Sequence, residues 1–242
     1  MPLFYGLSGV IDSARAFRQD SPAVTSAAYF DVDGTLVRTN LVQPTVFYLL
    51  NQQTPVQSAS MMLRAALRAP QMALAELRDR RTFNELLYST YEGISRDRLL
   101  LLSEECFDKV VRPALFPNAR ALVKRCRDEG QEVILVSGAL DFVLEHLVSY
   151  LGASGLIANR LEFKENYATG RMLRPIVAGP EKARLIRDHA KDAGHDLAHC
   201  YAYSDSYSDV PMLSVVGHPA AVNPDGKLRR LAEAYGWPVL SL

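Results

Sequence analysis

An excess of either charge is missing from this chain, whose 27 Lys and Arg residues balance 27 Asp and Glu residues over a length of 242. The cations are scattered rather than massed, so no field gathers phosphates and polymeric nucleic acid is not expected as a partner. Cysteine is scarce too. Cys106, Cys126 and Cys200 lie far apart, without metal-ligand spacing, each inside an apolar-periodic segment. They read as reduced core thiols of a cytoplasmic protein. The five histidines show no paired spacing for zinc. No apolar run approaches the roughly 20 residues that cross a bilayer, so no integral membrane segment is expected.

What is present fits one soluble domain, or one domain carrying a smaller insert. From Leu3 to Phe17, Leu3, Phe4, Leu7, Val10, Ile11, Ala14 and Phe17 share one helical face. With neither a basic start nor a cleavage site, residues 1–25 are expected to form a docking helix rather than a signal peptide. A weak membrane-surface or partner contact is the sharper reading of the same stretch, disfavoured because its polar face is not basic.

Beyond it, short apolar strands end in polar residues. Ala27-Ala28-Tyr29-Phe30 runs into Asp31-Val32-Asp33-Gly34-Thr35, and Glu132 to Val136 runs into Ser137-Gly138 after a helix from Pro117 to Glu129. His199 to Tyr203 runs into Ser204-Asp205-Ser206-Tyr207-Ser208-Asp209, after a helix from Pro180 to about Ala193 that Gly194 ends. A weaker strand follows at Ala220 to Val222, and Ile157 to Met172 suggests a hairpin turning at Thr169-Gly170. Alternating strands and helices predict an α/β fold on a parallel, Rossmann-like sheet, with Asp31, Ser137 and Asp205 converging at its carboxyl edge.

A crossover unit takes about 30 residues, yet 105 separate Asp31 from Ser137. The surplus predicts an all-helical cap over residues 39–114, inserted into a core of residues 26–38 and 115–242. Breaks are expected near Thr54-Pro55, Ala69-Pro70 and Gly93. Met61, Met62, Leu63 and Leu67 line either a substrate pocket or the cap's own core. Asn40, Arg64 and Arg68 are candidates for touching substrate.

Phosphoryl transfer needs a nucleophile, a proton donor and cations around the phosphate. Asp31 and Asp33, two apart where a strand breaks at Gly34, suit the nucleophile and the general acid. Clustered carboxylates repel unless a cation sits among them, and Asp31, the carbonyl of Asp33 and Asp205 offer oxygen ligands for Mg2+. Ser137 and Gly138 offer a hydroxyl and an amide at an expected helix start. Lys182 neutralises phosphate charge or is an ordinary surface lysine. Asp209, just ahead of Pro211, reads as a helix N-cap that also serves a metal-bound water or a lysine.

In this order Asp31-Val-Asp33-Gly-Thr35, Ser137-Gly138, Lys182 and Asp205-Ser-Tyr-Ser-Asp209 resemble the four motifs of the haloacid dehalogenase superfamily. The helical insert and the tail from Pro211 to Pro238 resemble its subfamily IB, the phosphoserine-phosphatase-like branch. The resemblance implies a phosphatase in which Asp31 is phosphorylated and Asp33 protonates the leaving alcohol, then deprotonates water. Ser137, Gly138 and Lys182 would hold the phosphate of a small phosphomonoester, Asp205 would join Asp31 and Asp33 on Mg2+, and Asp209 would sit behind them. Two positions depart from the pattern. Asn40 stands nine residues after Asp31, where phosphoserine phosphatases carry a glutamate, and serines rather than glycines flank Asp205. An inactive, regulatory phosphatase-like domain is the alternative. The complete acidic set and Asp33, which a mere phosphate acceptor does not need, weigh against it.

Overall fold

A computed structural model describes residues 26–242; the amphipathic stretch expected within residues 1–25 lies outside the described residues. Six strands form one parallel sheet: β1 (Ala27–Phe30), β2 (Glu132–Leu140), β3 (Gly155–Asn159), β6 (Tyr201–Ser204), β7 (His218–Val222) and β8 (Val239–Leu240). Their order is β3-β2-β1-β6-β7-β8, so β1 is interior, with both neighbours parallel to it. Successive side chains of a strand point to opposite faces. Ala27 and Tyr29 accordingly pack with Ile134, Ile186 and Met212, whereas Ala28 and Phe30 pack on the other side with Leu135 and Val123. Burial on both faces is why these strands read as continuous apolar runs.

Between β1 and β2 the chain is helical, as expected: α1 (Val42–Leu50), α2 (Pro55–Arg78), α3 (Arg80–Tyr88) and α4 (Arg96–Cys106). Tyr48, Phe83, Leu87, Tyr91 and Leu99 from this insert share one continuous core with the Phe30 face of the sheet. The remaining helices are α5 (Ala119–Asp128), α6 (Asp141–Leu151), α7 (Pro180–Ala193), α8 (Val210–Leu213) and α9 (Gly226–Tyr235). Helix α7 ends where the sequence predicts, Gly194 taking a left-handed conformation that glycine adopts without strain.

Three expectations require correction. The break at Ala69-Pro70 is absent, because α2 runs through Pro70. A proline there forfeits one main-chain hydrogen bond, and Pro70 lies on an exposed stretch where water can take the freed carbonyl. Leu63 and Leu67 line nothing, being 62% and 72% exposed, and only Met61 and Met62 of that set pack against the core. The hairpin exists as β4 (Leu161–Lys164) and β5 (Tyr167–Met172), but it turns at Glu165-Asn166, both with positive φ, rather than at Thr169-Gly170. Two positive φ values in a row are what a tight two-residue hairpin turn needs.

The hairpin fixes the insert. The amide of Gly93 donates to the Ala168 carbonyl, Ala168 donates back to the Ile94 carbonyl, each at 2.9 Å, and Arg96 donates to the Asn166 carbonyl at 2.8 Å. Among the described residues no helix is long and apolar enough to cross a membrane.

Candidate active site

The register sets Phe30 against Leu135 on one side and Tyr203 on the other, so three neighbouring strands reach their functional residues at one level. Asp31 follows β1, Asp205 follows β6, and Ser137 lies within β2. The expectation that Ser137-Gly138 opens a helix is not met. The strand continues to Leu140 through a register shift after Ser137, and α6 begins only at Asp141. A deformed strand end, rather than a helix dipole, therefore shapes this loop. Asn159 Nδ2 and the Tyr88 hydroxyl hold the Gly138 carbonyl at 2.8 and 2.9 Å.

Lys182 reaches the cluster from α7, whose first turn is set by Gly179 and Pro180. Its Nζ donates to Asp31 Oδ1 at 2.6 Å and to Asp209 Oδ2 at 2.8 Å, with all three side chains at most 7% exposed. It is no surface lysine. Asp209 stands at the N-cap position of α8 but makes no capping bond there. Its carboxylate serves Lys182 and accepts from Ser204 Oγ at 2.8 Å, and Ser206 caps the preceding turn instead. Buried charge this close to an ammonium gains more from the ion pair than from an amide.

Thr35 Oγ1 stands 3.1 Å from Asp31 Oδ2 and 3.2 Å from Asp205 Oδ1, tying the two carboxylates together. Gly34 makes the approach possible. At its φ of +84°, a Cβ would fall 2.1 Å from Asp205 Oδ2. Asp33 accepts from Ser137 Oγ at 3.3 Å.

Burial first, and the neighbouring Asp31 charge second, push the Asp33 carboxyl up to about 7. The same two causes push Asp205 up to about 7. Burial raises Asp31 above its ordinary range as well, against the pull of the Lys182 ammonium. Burial alone would lower Lys182, but Asp209 and Asp31 outweigh it and hold the ammonium above its usual value. One buried ammonium thus stands among four carboxylates. Among the described residues no three His, Cys, Asp or Glu side chains converge as a ready metal cluster. The two carboxylates already drawn together by Thr35 are oxygen donors of the kind a hard cation that keeps several waters takes.

Asp31, Asp33, Gly138, Lys182, Asp205 and Asp209 line one small cavity, which two residues of α3, Arg80 and Asn84, also enter. Sequence reasoning missed both. An i, i+4 pair beside the apolar Phe83 and Leu87 was its only trace, and any amphipathic helix shows that much. The candidates Asn40, Arg64 and Arg68 are absent from the lining. Asn40 accepts from the Val42 amide at 3.0 Å, and Arg68 donates to Ser89 Oγ at 2.7 Å. Past Arg80, Gly179 and Ser208 lies an outer cavity of about 1020 Å³.

A family model described as haloacid dehalogenase-like hydrolase matches residues 28–214, the span that holds all of these side chains. The chain belongs to this family. Among relatives of this hydrolase is a phosphoserine phosphatase of Mycobacterium tuberculosis, 31% identical over 230 residues, covering 95% of this chain and 75% of that one. A probable phosphatase of the same organism is 32% identical over 226 residues, covering 91% and 77%. A protein of unknown function from Bordetella pertussis has a solved structure with a TM-score of 0.75 at 25% identity, covering 90% of this chain and 98% of that one. A phosphoserine phosphatase solved as an analogue of its phospho-aspartyl intermediate shares the fold, with a TM-score of 0.65 at 18% identity and coverage of 90% and 93%.

Proposed function

We propose that this hydrolase is a magnesium-dependent phosphatase that passes the phosphoryl group of a small phosphomonoester to Asp31 and then to water. The pairing of Asp31, held by Lys182 at 2.6 Å, with a neighbouring carboxyl raised to about 7 carries the proposal. It puts a carboxylate nucleophile beside a carboxylic acid that keeps its proton near neutrality.

An Asp31 oxygen attacks phosphorus and the ester P–O bond breaks, while Asp33 gives its proton to the departing alkoxide. Asp33, now a carboxylate, takes a proton from water as that water attacks phosphorus. Phosphate leaves and Asp31 is regenerated. Ser137, Gly138 and Lys182 hold the phosphoryl oxygens through the exchange, and Asp209 orients Lys182. Bound between Asp31, the Asp33 carbonyl and Asp205, Mg2+ would offset the negative charge of phosphate and carboxylates. Residues 39–114 act as the cap, closing the cavity through α3 and keeping bulk water from the acyl phosphate.

Phosphate release from a generic phosphomonoester tests this, in magnesium and in chelator. We expect release only with the metal, and a fall of about 10³-fold or more in Asp31→Asn, whose amide cannot attack. Asp31→Asn turnover near that of the parent enzyme would remove the mechanism.

A further inference from the structure

Two groups in the inner cavity have no part in that reaction. Asn84 and Arg80 lie one turn apart on α3, fixed by Asp79, whose carboxylate accepts from the Arg81 and Thr82 amides. Asn84 is 2% exposed, and its Oδ1 has no hydrogen-bond partner among the described residues. Its Nδ2 would stand 3.0 Å from a Cβ placed on Gly138, so the amide sits directly against the glycine of the phosphate loop. A buried amide oxygen left without a donor costs folding free energy, and such groups are rare unless a ligand or water serves them. Asn84 thus brings an unpaired acceptor to the wall of the cavity that Asp31 also lines.

The charges around it restrict the donor. Every carboxylate lining the inner cavity, from Asp31 to Asp209, is engaged in the reaction centre, so none is left for a substrate ammonium. Asn40 does not supply the function either, because it is exposed and already accepts from the Val42 amide. Arg80, beside Asn84 in the lining, is ion-paired with Glu76 on its outer side and still presents a cation to the inner cavity, which disfavours an ammonium there. A neutral hydroxyl meets neither obstacle. The outer cavity beyond Arg80, about 1020 Å³, leaves room for more than one further carbon.

We infer that Asn84 and Arg80 select a phosphorylated polyol, an ester whose leaving alcohol carries a hydroxyl next to the ester carbon, and select against phosphorylated amino alcohols. The inference rests on the phosphatase reading. Asn84 Oδ1 accepts from that hydroxyl, and Arg80 donates to hydroxyl oxygens further along the chain.

The test is kcat/KM of the full chain, with magnesium, on glycerol 1-phosphate, ethyl phosphate and phosphoethanolamine. We expect glycerol 1-phosphate to exceed ethyl phosphate by about 10- to 100-fold and phosphoethanolamine to trail both. In Asn84→Ala the glycerol-to-ethyl ratio should collapse to about threefold or less. In Arg80→Gln phosphoethanolamine should gain on glycerol 1-phosphate. Asn84→Leu, which keeps the branched shape, removes both polar atoms and loses no bond within the protein, should show the same collapse, so it carries the test if the alanine variant folds poorly. A preference for phosphoethanolamine, or a ratio that survives both Asn84 substitutions, overturns the inference. If ethyl phosphate turnover still depends on Asp31 in those cases, the phosphatase reading stands without it. If no ester is hydrolysed at all, both fall.

Discussion

Lys182 and Leu67 each sit where residue type alone would not place them: the lysine is 5% exposed and the leucine 72%. The lysine is buried because Asp31, after β1, and Asp209, after β6 at the start of α8, were brought to it. The leucine is exposed because α2, 24 residues long, buries only Ser58 and Ala75. At the strand ends, partners decide burial. Along α2, the attachment of the helix by one narrow face decides it, and hydrophobicity does not. A rule based on residue type therefore fails in opposite directions within one chain, for reasons that can be separated by substitution.

Lys182→Met should have the largest effect on stability. It leaves two carboxylates buried without their cation, and breaking a buried pair in this way costs about 3–5 kcal/mol. Denaturant unfolding would measure it, and a loss under about 1 kcal/mol would mean that water reaches the cluster freely. Asp205→Asn should act in the other direction in the metal-free protein. The carboxyl has its ordinary value of 3.8 when unfolded and about 7 when folded, so its contribution is fully present below 3.8 and is lost as pH rises through 7. Removing the charge should raise the melting temperature by about 2–4 °C at pH 8, the equivalent of roughly 1 kcal/mol in a chain of this size, and change little at low pH. Excess magnesium should narrow or reverse that gain by stabilising only the parent protein. A gain independent of pH would remove the like-charge explanation.

The same contrast explains what could be read from sequence. Asp31, Asp33, Ser137 and Asp205 were legible because polar residues end apolar strands, and a parallel sheet brings such ends to one edge, whereas Lys182, on a helix, and Asp209, at a helix start, stood out only as members of the ordered set of motifs. The helices flanking β6 were legible from their Gly and Pro boundaries. The strand extension past Ser137 was not, because the tertiary hold of Asn159 and Tyr88 on the Gly138 carbonyl keeps that segment extended. Asn84 was hidden for a related reason. A helix reports which residues share a face, and nothing in its own sequence says that the face meets a cavity rather than packed side chains. The turn at Glu165-Asn166 was obscured by a glycine four residues later, Gly170, whose positive φ falls inside β5.

Leu63→Ser with Leu67→Ser should have the smallest effect. Both side chains project into solvent on the exposed side of α2, together with Val56 and Leu77, which are 77% and 84% exposed. Their replacement forfeits little buried area, and serine costs a helix a few tenths of a kcal/mol relative to leucine. Each substitution should therefore shift stability by about 0.5 kcal/mol or less. Met62, one residue away, packs against the core, and Met62→Ser should cost about 2 kcal/mol or more by the same measurement. If the double leucine variant lost as much as Met62→Ser, this face of α2 would be covered in solution. Its leucines would then be buried by a partner, and the contrast with Lys182 would close.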